Sequence, residues 1–455
     1  MNRISGLFKG QSLMQRAMRS SAITILGYGG GQVLRLISNL ILTRLLFPEA
    51  FGVMAMVTVI LMGLVMFSDM GVGPAIMQSK RGDDPDYLDT AWTIQIIRGV
   101  LLWLGALALA VPVAGYFGEP ALVWYLPVSS LSLILNGFNP TRLETANRHL
   151  RAGRVTMLEL GSQATGIIIG VVLALIFKSV WALVISGVLT AAAWLIYLNL
   201  FLPGHRNRLR WEPTAAHELI HFGKWIFLAT LCGFAIGQAD KVIVGNYLST
   251  HDFGIYNIGY FLASFPLMLG STVTRRVLIP VYRDSPPAAS RENFLRLRKL
   301  RIGASAVLVF GALLLALIGV WLVQLMYDDR YFNSAGVVVL FAIVQIPAII
   351  VLTYDQAALA SGDSKRFFVL ALVRSVLMVT MIMIGLNLGG LPGALFGQGA
   401  AYVLAYPVVV WLARREGAWD PAHDALFAAI GLIFGTPLLW LHWENIAALA
   451  NFVPG

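Results

Sequence analysis

The sequence predicts an all-α protein that crosses a membrane many times, with two six-helix lobes around a central cavity and one extra hydrophobic helix at the C-terminal end. Only 12% of the residues are charged and the mean hydropathy is +0.75, whereas soluble domains carry about 25% charged residues. Apolar runs of roughly 18 residues or more recur along the whole chain, and each is long enough to cross a bilayer as a helix. The short alternating segments typical of membrane β-barrels are not found.

Thirteen apolar segments follow one another along the chain. The polar stretch 203–221 separates the first six from the next six. Because six is even, the first and seventh segments run in the same direction. The halves are therefore expected to be parallel repeats about an axis normal to the membrane, with a cavity between them. The segments lie near 20–46, 51–77, 91–117, 120–139, 155–177, 179–202, 222–248, 253–282, 302–327, 333–360, 367–388, 391–413 and 424–441.

This pattern predicts five parts in the chain. Residues 1–19 are basic and amphipathic, and the apolar run after them lacks a small-residue cleavage site, so no cleavable signal peptide is expected. In the tail, a crossing by Leu426–Leu441 would leave Trp440 and Trp443 at the outer interface. The parts are the N-terminal segment 1–19, an N-lobe at 20–202, a cytoplasmic linker at 203–221, a C-lobe at 222–415, and a tail at 416–455 that holds the thirteenth segment.

The distribution of Lys and Arg predicts the orientation. With a cytoplasmic N-terminus, 26 of the 33 cations fall on the inner side, if Lys224, Arg275 and Arg276 in the inner parts of the seventh and eighth segments are included. Five others lie within spans, and only Lys178 and Arg330 are outside. Inner loops of membrane proteins carry such an excess. The net charge of +10 therefore indicates anionic lipid headgroups as neighbours, and no nucleic-acid partner is expected.

A repeated sequence pattern marks the start of each half. Residues 27–52 and 233–254 both contain a Gly-Gln pair, then a cation in an apolar run, then an acidic residue shortly before Phe-Gly. We interpret them as the first helices of two similar halves. The matching pairs are Gly31-Gln32 with Gly237-Gln238, and Phe51-Gly52 with Phe253-Gly254.

The first span carries a polar stripe. Gln32, Arg35, Asn39 and Thr43 share one helical face. Charge facing lipid is costly, so such a stripe favours a cavity. In the alternative interpretation, Arg35 forms a structural ion pair with an intramembrane acid such as Asp69 or Asp240. Arg44, near the outer end, is also compatible with snorkelling to the interface.

The spans contain more cations than acids, which predicts an anionic substrate, since Arg guanidinium groups match phosphate oxygens. The five cations are Arg35, Arg44, Arg98, Lys241 and Arg374, against Asp69, Asp240 and Asp355. The acids are candidates for ion coupling or for ion pairs. The predicted substrate-binding set is Gln32, Arg35, Asn39, Arg98, Gln238, Lys241 and Arg374.

One motif matches an enzyme pattern. Residues 217–221 read H-E-x-x-H, which in metalloproteases supplies two zinc ligands and a general base. The sequence shows no convincing third ligand, and the motif lies at the inner entry to the seventh span, where an amphipathic lead-in is expected. No metal, cofactor or enzymatic activity is therefore predicted. The single cysteine, Cys232, allows no intramolecular disulfide.

The order and spacing of several short motifs resemble the bacterial polysaccharide flippases, the Wzx-like branch of the superfamily that also includes multidrug extruders and lipid II flippases. The resemblance covers about residues 20–415. The motifs are Leu45–Gly52, Ser68–Ala75, Glu218–Lys224, Ala239–Gly245 and Val277–Tyr282.

The resemblance implies an alternating-access transporter in the bacterial inner membrane. Its substrate would be an undecaprenyl-diphosphate-linked oligosaccharide, moved from the inner to the outer leaflet. The family implies polysaccharide polymerase and chain-length proteins as possible partners, and a monomer is expected. Two alternatives stay open: a cation-coupled small-molecule extruder of the same fold, and a membrane enzyme such as a polymerase or ligase. The extruder predicts acids dominating the cavity, and the polymerase or ligase predicts a sizeable outer loop.

Overall fold

The computed structural model describes residues 13–149, 152–355, 357 and 364–452, and these residues are almost entirely helical. The predicted all-α fold class is confirmed. Residues 1–12, most of the predicted basic N-terminal segment, lie outside the described residues. The helices before the linker are α1 (Leu13–Leu45), α2 (Pro48–Phe67), α3 (Val72–Gln78), α4 (Pro85–Phe117), α5 (Leu122–Ser129), α6 (Leu131–Gly137), α7 (Arg142–Arg148), α8 (Ala152–Phe177) and α9 (Val180–Phe201).

The second series of helices begins after the linker. Short 3-10 turns lie at Asp329–Tyr331 and Ala448–Asn451. The helices are α10 (Pro213–Tyr247), α11 (Thr250–Ala263), α12 (Phe265–Asp284), α13 (Arg291–Met326), α14 (Ser334–Val344), α15 (Ile346–Val351), α16 (Ser364–Arg415), α17 (Pro421–Leu441) and α18 (Trp443–Ala447).

Corresponding spans of the two halves are broken. The second and fourth predicted segments of each half consist of two helices: α2 and α3, α5 and α6, α11 and α12, α14 and α15. In the second half each break precedes a proline by two residues, Ser264 before Pro266 and Gln345 before Pro347. Proline lacks an N–H and clashes with the preceding turn, so it interrupts the helix. The bend between α11 and α12 is 48°.

Helix α16 contains the two predicted segments 367–388 and 391–413. Its helical geometry fails at Gly389 and Gly390, where Gly390 has a φ of +59°, a conformation that glycine adopts without strain. The arms on either side pack closely, because a Cβ at Gly385 would overlap the carbonyl oxygen of Gly393. The pair of glycines therefore divides α16 into a helical hairpin.

By length and hydropathy alone, the described residues contain eight helical stretches able to cross a membrane, with α14 and α15 counted as one, or nine if α11 and the start of α12 form one bent span. Thirteen segments were predicted. The numbers differ because α16 carries two of them, the apolar helix Leu122–Gly137 is short, and polar residues dilute the apolar run of α1. Part of the seventh segment, residues 222–229, lies outside the residues whose side chains are described.

Contacts divide the described residues into two compact units. The first comprises those within Met1–Leu46 and Val57–Leu231, and the second those within Phe47–Met56 and Cys232–Gly455. The predicted lobe bounds, 20–202 and 222–415, stay a prediction. Within the second unit, the starts of α2 and α11 are in close contact at the repeated Phe-Gly motifs. A Cβ at Gly52 would overlap the carbonyl oxygen of Thr250, and a Cβ at Gly254 that of Pro48.

A buried polar network attaches the thirteenth segment, α17, to the second unit. The Arg301 side chain is fully buried and donates to Thr353 Oγ1 at 3.0 Å and to the carbonyl oxygen of Ala418 at 2.8 Å. The hydroxyl of Tyr354 donates to Asp424 in the first turn of α17 at 2.8 Å. The extra helix is thus packed as part of this unit.

Candidate functional site

The second unit contains a cavity of about 420 Å³ that brings together four of the predicted site residues, Gln238, Lys241, Asp355 and Arg374. These residues come from α10, from the segment after α15 and from the first arm of α16. Both helix breaks of this unit, at Ser264 and Gln345, also line the cavity. The remaining lining residues are Ile236, Gly237, Tyr260, Leu267, Met268, Ser271, Phe341, Val344, Ala348, Val351, Leu352, Gln398 and Tyr402.

The ammonium of Lys241 reaches the cavity and is held there by two neutral groups. Its ammonium donates to Gln238 Oε1 at 3.1 Å, one turn earlier on α10, and lies 4.5 Å from the ring centroid of Tyr260. A cation over an aromatic face is stabilised without losing its charge. Within the described part of the chain Lys241 makes no ion pair, so the ammonium is able to attract an anion.

Arg374 is held by an acid but keeps free donors. Its Nη1 donates to Asp355 Oδ2 at 2.7 Å, with 11% and 19% of the two side chains exposed. Among the described residues, the Nε and Nη2 atoms of Arg374 and the Oδ1 atom of Asp355 are buried without a hydrogen-bond partner. Buried polar atoms are nearly always satisfied in proteins. Their arrangement therefore suits water or a polar ligand in the cavity.

Two amides extend this set of unpaired atoms. The Oε1 atoms of Gln345 and Gln398 are likewise buried with no partner in the described structure. The amide nitrogen of Gln345 donates to the carbonyl oxygen of Ala263 at 2.7 Å, a carbonyl released at the end of α11. Gln345 therefore links the two helix breaks through its amide nitrogen. Its Oε1 atom takes no part in that contact.

Asp240 does not line this cavity. It is 3% exposed and accepts a hydrogen bond of 2.8 Å from the Tyr256 hydroxyl. Neighbouring residues on a helix point about 100° apart, and accordingly Asp240 and Lys241 have different partners.

In the first unit, Arg98 contacts the end of a broken helix. Its Nη2 donates to the carbonyl oxygen of Val65 at 2.7 Å and its Nε to Ser68 Oγ at 3.0 Å. Cations near a helix C-terminus satisfy free carbonyls and the helix dipole. Asp69 accepts from the backbone N–H of Gly71 at 2.9 Å and closes the turn before α3.

Arg35 and Arg44 lie on opposite faces of helix α1. Arg35 is exposed and makes no ion pair with any described residue of the first unit, including Asp69. It lies about 160° around the helix from the exposed apolar Ile37, given 100° per residue. Arg44 is seven residues after Ile37 and shares its apolar face, which favours snorkelling. Gln32 and Thr43 are buried and Asn39 is half-buried.

A sequence profile described as "Polysaccharide biosynthesis protein" matches residues 41–336, more than half of the chain. The chain belongs to the polysaccharide biosynthesis protein family. The predicted family resemblance is thereby confirmed.

The named relatives of the chain are distant from it in sequence. The chain is 20% identical over 313 residues to the teichuronic acid biosynthesis protein TuaB of Bacillus subtilis, a match that spans 66% of this chain and 62% of TuaB. It is 20% identical over 402 residues to the lipopolysaccharide biosynthesis protein WzxC of Escherichia coli, spanning 86% of this chain and 79% of WzxC.

The fold of this family member is shared with a solved flippase structure. The lipid II flippase MurJ in an inward closed conformation superposes with a TM-score of 0.70 over 92% of this chain and 99% of the MurJ chain, at 12% identity. Identity this low supports the two-lobe membrane transporter fold alone.

Sequence reasoning found one neutral residue of the cavity, Gln238, and missed the others. The aromatic rings of Tyr260 and Tyr402 and the amides of Gln345 and Gln398 line it, but the neutral residues predicted from the sequence were only those that share a span with a cation. Two amides within otherwise apolar spans were a usable signal, since buried polar groups in membranes are rare and functional.

The H-E-x-x-H motif in this family member has a structural contact. Glu218 accepts from the Ser79 hydroxyl at 2.9 Å, which ties α10 to the turn after α3. The His217 and His221 rings are exposed and 6.1 Å apart. Among the described residues, no group of three or more His, Cys, Asp or Glu side chains is placed to hold a metal. The contact with Ser79 gives Glu218 a structural partner.

Proposed function

We propose that this protein moves an undecaprenyl-diphosphate-linked oligosaccharide from the inner to the outer leaflet of the bacterial inner membrane by alternating access, for exopolysaccharide, O-antigen or capsule synthesis. The observation that carries the proposal is the cavity among membrane helices into which Lys241 and Arg374 project. The relatives named for teichuronic acid and lipopolysaccharide biosynthesis, and the fold shared with a lipid II flippase, support the same substrate class.

The chemistry of the cavity suits a phosphate-bearing headgroup. Lys241 and Arg374 bring two positive charges and Asp355 one negative charge, so the described lining is net positive. The free edge of the Arg374 guanidinium offers two donors, which matches phosphate oxygens. The amides of Gln345 and Gln398 are suited to sugar hydroxyls.

The size of the cavity limits what it holds. A volume of about 420 Å³ is within the range of pockets for small ligands, about 300–1,000 Å³. It accommodates part of the headgroup and not the lipid chain or a whole oligosaccharide. Arg35, Asn39, Gln32 and Arg98 stay predicted members of a larger cationic surface.

The membrane potential favours the proposed direction. We propose that the N-terminus is cytoplasmic, as the distribution of Lys and Arg indicates. With the cell interior negative, outward movement of each unit of negative charge gains about 2.3 kcal/mol per 100 mV. Cations fixed in the protein do not cancel this gain, whereas cations that moved with the substrate would.

The test is alanine substitution of Lys241 and of Arg35, with Arg44→Ala as the matched control on the apolar face of α1. We expect polymer export to fall about tenfold or more for each test variant, since a charge-assisted hydrogen bond contributes about 1.5–3 kcal/mol. Export is measured relative to the amount of protein in the membrane. Normal export by well-expressed Lys241→Ala would refute the role of the cavity.

The small-molecule extruder is disfavoured by the cavity's charges. Asp355 is the only acid among the described lining residues and is paired with Arg374, whereas a cation-binding extruder calls for unpaired acids. We propose a transporter without catalytic chemistry. Accumulation of a lipid-linked saccharide on the inner leaflet after loss of this protein distinguishes the two functions.

A further inference from the structure

A second basic cavity lies in the first unit, apart from the site described above. Its volume is about 390 Å³, and it is formed by α4, α9, the segment around α7 and the linker segment that follows α9. None of its lining residues was predicted as a site. They are Trp92, Phe138, Pro140, Arg142, Leu195, Asn199, Arg206 and Asn207.

Arg142 is the buried cation of this cavity. It is 7% exposed, and its Nη2 donates to Asn199 Oδ1 at 2.7 Å. Its Nε is buried and has no hydrogen-bond partner in the described part of the chain. A buried guanidinium donor without an acceptor is costly, so an additional acceptor at this position would stabilise Arg142.

The linker places a second guanidinium beside it. His205 and Asn207 both contact Asp89 Oδ1, at 2.7 Å and 3.3 Å, and fix the linker to α4. Arg206 lies between them, is exposed, and makes no hydrogen bond or ion pair with any described residue.

Arg142 and Arg206 are not neutralised by the cavity itself. Burial lowers the pKa of Arg142, and the neighbouring positive charge of Arg206 lowers it further. No Asp or Glu is found among the described lining residues. Asp89 lies next to the cavity but is bonded to His205 and Asn207. Within the described residues neither guanidinium pairs with a carboxylate, which favours an anion between the two like charges.

The surface next to the cavity is apolar. On α9, Ile196 and Leu200 are 54% and 71% exposed on either side of Asn199, and Phe201 follows them. Trp92 donates its indole N–H to the carbonyl oxygen of Phe138 at 3.1 Å, an amphipathic arrangement typical of the membrane interface. A ligand here would meet cations at one end and a hydrocarbon-facing helix at the other.

We propose that Arg142 and Arg206 bind the phosphate of an anionic phospholipid, whose acyl chains lie along the exposed face of α9. Basic pockets at the inner ends of membrane helices are suited to such headgroups. A lipid diphosphate has the same chemistry, but we assign the site to the phospholipid because anionic phospholipid headgroups are the ordinary neighbours of basic inner segments, and the test separates the two ligands. The assignment does not depend on the transport proposal.

The test uses purified full-length protein in detergent with added phosphatidylglycerol or phosphatidylcholine, and counts the bound lipids by native mass spectrometry. We expect phosphatidylglycerol to be preferred, and Arg206→Gln to lower its retention about fivefold, the effect of about 1 kcal/mol per basic group near a lipid surface. The matched control is Arg208→Gln, an exposed cation two residues along the linker that does not line the cavity. It should retain the lipid.

Several outcomes would overturn the assignment. They are unchanged lipid retention in Arg206→Gln, equal loss in Arg208→Gln, or no preference for phosphatidylglycerol. Displacement of the phospholipid by an equal concentration of farnesyl diphosphate would show that the site binds a lipid diphosphate instead. If Arg142→Gln fails to fold, Arg206→Gln still decides the question, because the exposed Arg206 side chain has no described contact to lose.

Discussion

In each half of the chain the second span is broken into two helices. The two halves cap the end of the first of these helices with different groups. In the first half, the guanidinium of Arg98 donates to the carbonyl oxygen of Val65 near the end of α2. In the second half, the neutral amide of Gln345 donates to the carbonyl oxygen of Ala263 at the end of α11. Each interaction satisfies a carbonyl that a continuous helix would have paired.

This difference determines which cations remain available. Arg98 is occupied by a structural contact, whereas capping by Gln345 leaves Lys241 and the free edge of Arg374 directed into a cavity. The halves therefore repeat a pattern of helix breaks without repeating the placement of charge. We infer that the second half holds the more developed anion site, although the first half begins with the more conspicuous polar stripe.

The largest effect on folding is expected for Arg98→Met, which removes the charged cap but keeps an apolar side chain of similar length. We expect the free energy of unfolding to fall by about 2 kcal/mol, because hydrogen bonds to charged groups contribute about 1.5–3 kcal/mol. Thermal unfolding of purified protein in detergent measures it, with Arg44→Met as the unchanged control. A stable Arg98→Met protein that has lost export would place Arg98 in the substrate site instead.

A smaller effect is expected for Gln345→Leu in the second half. The substitution leaves the carbonyl oxygen of Ala263 unpaired but also removes the unpaired Oε1 of Gln345. The net loss should be about 1 kcal/mol, the usual contribution of a neutral hydrogen bond. The same unfolding assay checks it. A loss of stability larger than that of Arg98→Met would show that the neutral cap contributes more than the charged one.

A change in binding is expected for Asp355→Asn, which removes the negative charge beside Arg374. Asparagine keeps an acceptor for Arg374 but leaves its buried positive charge unpaired, so the protein without ligand should also lose stability. The cavity becomes more positive, and binding of farnesyl diphosphate, measured by titration calorimetry, should tighten by about fivefold, or roughly 1 kcal/mol. Arg374→Gln is the opposing control and should weaken binding. Weaker binding in Asp355→Asn would show that the carboxylate itself assists the ligand.

Much of the fold was predictable because its signals are local. Hydrophobic run length and the distribution of Lys and Arg depend on neighbouring residues alone, so a predicted segment such as 179–202 matches α9, Val180–Phe201, closely. The helix breaks were less accessible. Pro266 and Pro347 are visible in the sequence, but prolines also occur inside the intact α4 and α17, and packing decides which of them interrupt a helix.

The sequence by itself determined the all-α class, the positions of the apolar segments and the surplus of intramembrane cations. Only the tertiary structure decided how each cation is used. It pairs Arg374 with Asp355, assigns Arg98 to a helix end, and brings Lys241 into the cavity lined by Arg374. Arg142 and Arg206 also meet only in the folded chain. The physical reason is that an ion's partners are set by the packing of segments far apart in sequence, while its cost in the membrane is set by its own charge.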